Sequence, residues 1–397
     1  MRLNYTEVHV LNETVAKGSC MATTRRELLK WMLKAPALAL GTSLLDLSNA
    51  YGSPLPLGPL LPPNDLGLRL PKGMKARVIA QSGYRVPNTD YIWHKSPDGG
   101  ACFPTGDGGW VYVSNSEESF FRGGAAAIRF SPWGDVQDAY PILHWTSRNC
   151  AGGATPWKTW LSCEETDRGV VYETDPFGVN DAIKRPALGY FKHEAVAVDM
   201  DRGHLYMTED EEDGCLYRFV SSEGLPNLDQ GDLQVAVVDD LMNVTWVNVE
   251  DATPSRFSTR TRHQVPQAHR FKGGEGIWYH SDLVVFTTKH DHHVWALDVK
   301  RQTLRALYRG DQLLKGVDNI CGAPQGGYVV AEDGDDMQLV MLSEQGLAQP
   351  IVQVVDQPGS ELTGPAFSPD GQHLYFSSQR GRNSKRREGI TYELSWV

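Results

Sequence analysis

The residues best suited to chemistry in this 397-residue sequence recur at matched positions. Six apolar segments read VYVSNSEE, TWLSCEE, HLYMTED, LVVFTTK, GYVVAED and HLYFSSQ. They end near Glu117, Glu164, Glu209, Thr288, Glu332 and Ser378. A second set precedes these ends by a near-constant interval. Cys150 stands 15 residues before Glu165, and Glu194 stands 15 before Glu209. Glu275 stands 14 before Lys289, Asp318 stands 14 before Glu332, and Glu361 stands 18 before Gln379. In an antiparallel hairpin the start of one strand and the end of the next lie together. The spacing therefore aims Cys150, Glu194, Glu275, Asp318 and Glu361 at one place, with Glu117 and Glu118 added by the first unit. Crowded carboxylates raise each other's pKa or demand a cation. Their oxygens suit hard cations such as calcium, magnesium, manganese or ferric iron, and a thiolate among them suits iron.

The elements that must position these groups follow from the same spacing. The segment ends are 47, 45, 79, 44 and 46 residues apart. Each unit holds a short alternating strand, a Gly/Asp turn and further strands. A repeat near 45 residues with several strands per unit is the signature of a β-propeller. The expectation is an all-β, six-bladed β-propeller over residues 76–397, with an insertion at about 221–270 inside the long step. Residues 51–75, rich in Pro, Gly and Leu, read as a linker. The last strand, Ile390 to Val397, is expected to pair near Arg77–Ala80 and close the ring, which removes an exposed sheet edge.

The remaining signals bound the function. Thr24-Arg25-Arg26-Glu27-Leu28-Leu29-Lys30, an apolar run and Ser48-Asn49-Ala50 read as a twin-arginine signal peptide over residues 1–50. Its partner would be the twin-arginine export machinery, and the mature protein would be periplasmic or secreted. That run is too short for a stable membrane span. Met21 is an alternative start. A formal net charge of −11 without a long basic run speaks against nucleic acid as a partner. Five cysteines follow the leader and no CxxC is present, which leaves no zinc-ribbon or thioredoxin motif. His290-Asp291-His292-His293 falls where a hairpin turn belongs, and Arg380 with the run Arg382 to Arg387 reads as a solvated basic loop. His193, beside Glu194, reads as a general acid/base or an orienting neighbour of the site, with a purely structural role as the alternative. No nucleophile elbow, Walker loop or dinucleotide fingerprint occurs.

From about residue 70 onward the chain resembles the PhoX-type alkaline phosphatases and their shorter relatives. The resemblance rests on Arg148-Asn149-Cys150-Ala151-Gly152-Gly153-Ala154-Thr155-Pro156-Trp157, Leu161-Ser162-Cys163-Glu164-Glu165 and Phe191-Lys192-His193-Glu194-Ala195. Tyr206 to Asp210, Gly274-Glu275-Gly276, Ala331 to Gly334 and Ser360 to Pro365 extend it. It implies a six-bladed propeller with a ferric iron and calcium cluster at one mouth, hydrolysing phosphate monoesters with a metal-bridging oxygen as nucleophile. It further implies iron ligation by Cys150, Glu194 and Glu361, with Glu164, Glu165, Glu209, Glu275, Glu332 and Asp333 as candidate calcium ligands. No side chain would act as nucleophile. The enzyme is expected to work as a monomer on a small-molecule phosphoester. Two departures stand out: Gly359 where the larger members carry arginine, and Ala366 where a cysteine is expected. The alternatives are a calcium-dependent lactonase-type propeller and a non-catalytic, metal-stabilised binding propeller.

Overall fold

The structure is a computed structural model describing residues 57–310, 313–334, 336–383 and 388–396. The expected signal peptide lies outside the described residues. Six antiparallel sheets of four or five strands account for nearly all of the regular structure. Their innermost strands are Pro97–Pro104, Asn149–Ala154, His193–Asp199, Gly274–His280, Val317–Gly322 and Leu362–Phe367. Each packs against the innermost strand of the next sheet, and the last packs against the first, so the ring closes. This is the six-bladed β-propeller expected from the 45-residue repeat.

Alternation explains why these segments form blades. In Trp160–Glu164 and Tyr328–Glu332 both faces are buried, because each sheet is sandwiched between two neighbours. Apolar side chains from adjacent sheets fill the gaps. One such layer packs Leu339, Met341 and Val352 against Leu374, Phe376 and Tyr392. The sixth blade is completed from both ends of the described chain: Met74–Gln81 pairs with Ile390–Trp396, with Arg77 opposite Glu393 and Ala80 opposite Thr391. Arg77 Nη2 also meets Glu393 Oε2 at 2.7 Å, which adds an ion pair to the closing ladder.

Two segments differ from the expectation. The described part of the 51–75 segment is docked rather than extended as a linker. Leu57, Leu66, Leu68 and Leu70 pack on the fifth and sixth blades, and Leu68–Arg69 pairs with Ala348–Val354. The leucines that resembled linker composition bury apolar surface. The 221–270 segment supplies Gly231–Val238 and Val244–Asn248, the two outer strands of the third blade, before a loop returns to the fourth.

One local device repeats in every blade. The pairing of the innermost strand with the second strand slips by one residue near its start, in all six sheets. Such a β-bulge turns a side chain away from its ordinary pleat direction. The residues in the slip include Asp98, Cys150, Glu194, Glu275 and Asp318 in the first five blades. A small residue follows most of them because adjacent blades nearly touch there. A Cβ on Gly99 would lie 2.5 Å from Ala151 Cα, and one on Gly276 would lie 2.4 Å from the Ile320 nitrogen.

Candidate metal centre and active site

The bulges converge on a cavity of about 160 Å³ at one mouth of the central channel. Two sets of six residues line it. The first enters from the innermost strands: Asp98, Cys150, Glu194, Glu275, Asp318 and, just before the sixth strand, Glu361. The second enters from the ends of the neighbouring strands: Glu117, Glu165, Asp210, Lys289, Asp333 and Gln379. Arg148, Thr363 and Arg380 complete the lining. Nine of the fifteen lining residues are carboxylic acids and three are basic. Ionised together, the acids would leave a large uncompensated negative charge in a small volume.

The acids respond to that crowding. Burial first, and then Glu275 and Glu165, push the Glu194 carboxyl well above its ordinary range. Asp98 is raised by burial and by Glu117 and Glu361. Glu361 is raised by burial and by Asp333. The Cys150 thiol is raised by burial and by Asp98 and Glu194. Three basic side chains offset part of the charge. Lys289 Nζ stands 3.0 Å from Asp333, 3.1 Å from Asp318 and 3.3 Å from Glu275. Lys192 Nζ joins Glu165 at 2.8 Å to Asp210 at 2.7 Å. Arg380 Nη2 holds Glu361 at 2.8 Å. The Gln379 amide donates to Asp98 at 2.5 Å and to Glu117 at 3.0 Å.

Not every expected residue reaches this cavity. The structure brings Glu117, Cys150, Glu165, Glu194, Glu275, Asp318, Asp333 and Glu361 to it, but not Glu118, Glu164, Glu209 or Glu332. Successive strand residues face opposite ways. Glu164, Glu209 and Glu332 are the last paired residues of their strands, and the residue after each one faces the channel. Their carboxylates cap adjacent turns instead. Glu164 accepts from the Ser147 backbone at 2.8 Å, and Glu332 from Lys315 at 2.8 Å. Glu209 accepts from Cys215 N, Tyr217 Oη and Arg262 Nη1. Burial pushes both Glu209 and Glu332 up to about 7. His193 is also off the cavity. Its ring stacks on Phe191 with 3.6 Å between centroids, and Nε2 contacts the Gly189 carbonyl at 3.0 Å. Burial lowers its pKa to about 3, so it is neutral and packs Phe191 rather than moving protons.

Asp98 and Asp210 were absent from the expected set. Both had a signal. Asp98 precedes Gly99 as Glu275 precedes Gly276, and Asp210 follows Glu209 as Glu165 follows Glu164. Gly359 is exposed and away from the mouth, which Arg148 and Arg380 supply with guanidinium groups instead. Ala366 is buried between the first and sixth blades. The His290–His293 segment forms the expected hairpin turn after Leu283–Thr288.

The donor set fits hard cations. Both carboxylate oxygens of Glu194 are buried without a hydrogen-bond partner, which is costly unless a cation or ligand meets them. Among the described residues, three groups offer ligand atoms within 4.8 Å of one another: Glu194, Glu275 and Asp318; Asp318, Asp333 and Glu361; and Asp98, Glu117 and Glu361.

Fold and mouth together define a six-bladed propeller whose acid-lined channel is suited to metal ions. Residues 134–289 match the family model described as alkaline phosphatase PhoX. The resemblance carried by the Asn-Cys and Cys-Glu-Glu motifs is borne out over those residues. The fold of the chain is similar to that of Pseudomonas fluorescens PhoX solved in complex with vanadate, a transition state analogue. The TM-score is 0.68 at 17% identity, covering 85% of this chain and 97% of that one. Proteins of unknown function from Bacteroides thetaiotaomicron and Dyadobacter fermentans share the fold at a TM-score of 0.50 and 8% identity. They cover 81% and 82% of this chain, and 76% and 100% of their own. No curated protein matches the sequence.

Proposed function

We propose that the channel mouth hydrolyses phosphate monoesters with the help of cations held by the acid rings. The observation that carries this reading is the buried, unpartnered Glu194 carboxylate, one of nine acids that line the cavity. Glu194, Glu275 and Asp318 would hold one cation, and Asp333 and Glu361 would share Asp318 with another. Cys150 would supply a thiolate suited to iron, and the harder acid sets suit calcium. When bound, such ions neutralise charge on phosphate oxygens and supply an activated oxygen nucleophile.

The chain's own part is binding and positioning, which phosphoryl transfer chiefly requires. Arg148, Lys289 and Arg380 are the basic groups on the cavity and would meet the phosphate oxygens. Lys289 and Arg380 are held in place by acids, so their charges are oriented before substrate arrives. Thr363 is not available as a nucleophile, because its hydroxyl donates to the Pro97 carbonyl at 2.9 Å. The Pseudomonas protein of similar fold was solved in complex with vanadate, a transition state analogue, which supports the phosphatase reading. Arg25-Arg26 and the segment after it support twin-arginine export to the periplasm or beyond, with the protein acting as a monomer on a small phosphoester.

The test is metal content and turnover in one preparation exported through its own leader. Iron with calcium and release of inorganic phosphate is the expected result. Glu194→Ala should lose metal and activity together, and activity that survives the loss of metal would sink the mechanism. Lys289 among three acids and Gly359 in place of arginine favour one second reading, a non-catalytic metal-stabilised propeller. Calcium-dependent melting without hydrolysis of any ester would establish it.

A further inference from the structure

Beside the mouth, the first blade displays three aromatic side chains to solvent. Phe120 is 82% exposed, Phe121 68% and Trp145 81%. Phe120 and Phe121 form the turn after Glu117 and Glu118, between Trp110–Ser116 and Gly123–Phe130. Trp145 lies near the end of the outermost strand, Val136–Thr146. The two places are joined. Gly123 pairs with Thr146 and Gly124 with His144, so Trp145 is the extra residue of a bulge. The Phe121 N–H donates to Ser147 Oγ at 3.0 Å, and the Arg148 N–H donates to the Glu118 carbonyl at 2.9 Å. Arg148, three residues after Trp145, lines the acid cavity. The exposed aromatics and the cavity therefore share one short stretch of backbone.

The backbone reinforces the point. Phe120, Phe121 and Trp145 all have positive φ, at 61°, 58° and 61°. Glycine is the natural occupant of such positions, and bulky side chains adopt them at a cost. A bulge residue in this conformation is commonly glycine. Here three large rings are held out to water instead, in a segment continuous with the cavity. Strain of this kind concentrates at ligand sites.

We infer that Phe120, Phe121 and Trp145 form a stacking wall that selects phosphate monoesters with a planar aromatic leaving group, such as a nucleoside monophosphate. The inference rests on the proposed phosphatase reading for the position of the phosphate. Flat rings stack on exposed aromatic faces without demanding a particular hydrogen-bond pattern.

The test compares adenosine 5′-monophosphate with ribose 5-phosphate, which share the reacting alkoxide and differ by the base. The metal-loaded wild type is expected to favour the adenosine ester in kcat/KM by about ten-fold, the effect of one stacked base. The triple variant Phe120→Gly, Phe121→Gly, Trp145→Gly should bring that ratio toward one, with the loss in the adenosine ester's KM. Because glycine suits positive φ, the variant should melt no lower than the wild type. Tryptophan emission gives a reading independent of turnover: the adenosine ester should quench it in the wild type, and Trp145→Gly should remove that quenching. A wild-type ratio near one with no quenching overturns the inference while hydrolysis upholds the phosphatase. Quenching by the adenosine ester without hydrolysis of either ester upholds the wall and overturns the phosphatase reading. A triple variant that melts several degrees lower, or that changes vesicle binding or self-association but not the ratio, overturns the wall.

Discussion

Replacing Lys289 by methionine tests whether the mouth is short of positive charge. The ammonium lies within 3.3 Å of Glu275, Asp318 and Asp333, and its side chain is only 25% exposed. Burial opposes its charge, but Asp318, Glu275 and Asp333 outweigh burial and keep it protonated far above the ordinary lysine range. Methionine retains the stem and removes the charge. Breaking a buried ion pair costs about 3–5 kcal/mol, because the partner charges are left uncompensated. Urea unfolding of the chelator-treated variant should show a loss of that size at pH 7.5. Calcium should then stabilise the variant more than the wild type, since the vacated position among three acids favours a cation. At a calcium concentration 100 times Kd, one added site contributes about 2.7 kcal/mol. Equal stability of variant and wild type in chelator would refute the charge argument. So would a calcium-induced shift no larger than that of the wild type.

Other parts of the molecule make separate predictions. Gly276→Ala places a Cβ 2.4 Å from Ile320 N and 2.7 Å from Asn319 Cα, both backbone atoms. The blades must separate, and we expect a loss of about 1–3 kcal/mol in urea unfolding, together with weaker metal retention at the adjacent Glu275. Arg262→Ala strands the buried Glu209, which it meets at 2.9 Å, and should cost about 3–5 kcal/mol; a loss below 1 kcal/mol would count against a buried pair. His94 is half-buried, its Nδ1 is sealed from solvent, and burial holds its pKa down to about 3. The unfolded chain takes up that proton near 6.5 and the folded chain does not, so stability present above 6.5 is lost as pH falls. Between pH 7.5 and 5 this amounts to about 2 kcal/mol. His94→Asn should flatten the stability–pH curve by that amount, and an unchanged slope would show that the imidazole is not excluded from protonation.

The second-strand pairs show how far one-dimensional spacing reaches. Glu164-Glu165, Glu209-Asp210 and Glu332-Asp333 each put an acid at the channel, but only the second member faces it. Which member does so depends on the last paired residue of the strand. That register is decided between strands rather than within one. Asp98 illustrates the same limit, because its interval to Glu117 is longer than that of the other blades. The basic groups were less legible still. Lys289 occupied a repeat position expected to be acidic or polar, and Lys192 and Arg380 belong to loops outside the repeat.

What the sequence determined by itself was the number of blades, the closing strand, and most of the innermost acids. Each of these follows from periodicity: equal spacing, alternate burial and short turns are local constraints that a single chain carries along its length. Tertiary structure alone decided which acids are bare and which are already paired. Glu194 is left without a partner because five bulged strands and the segment before the sixth aim side chains at one axis, and Glu209 is paired because Arg262 arrives from a loop 53 residues away. Charge compensation depends on distances in space between groups remote in sequence, and only the closed ring sets those distances.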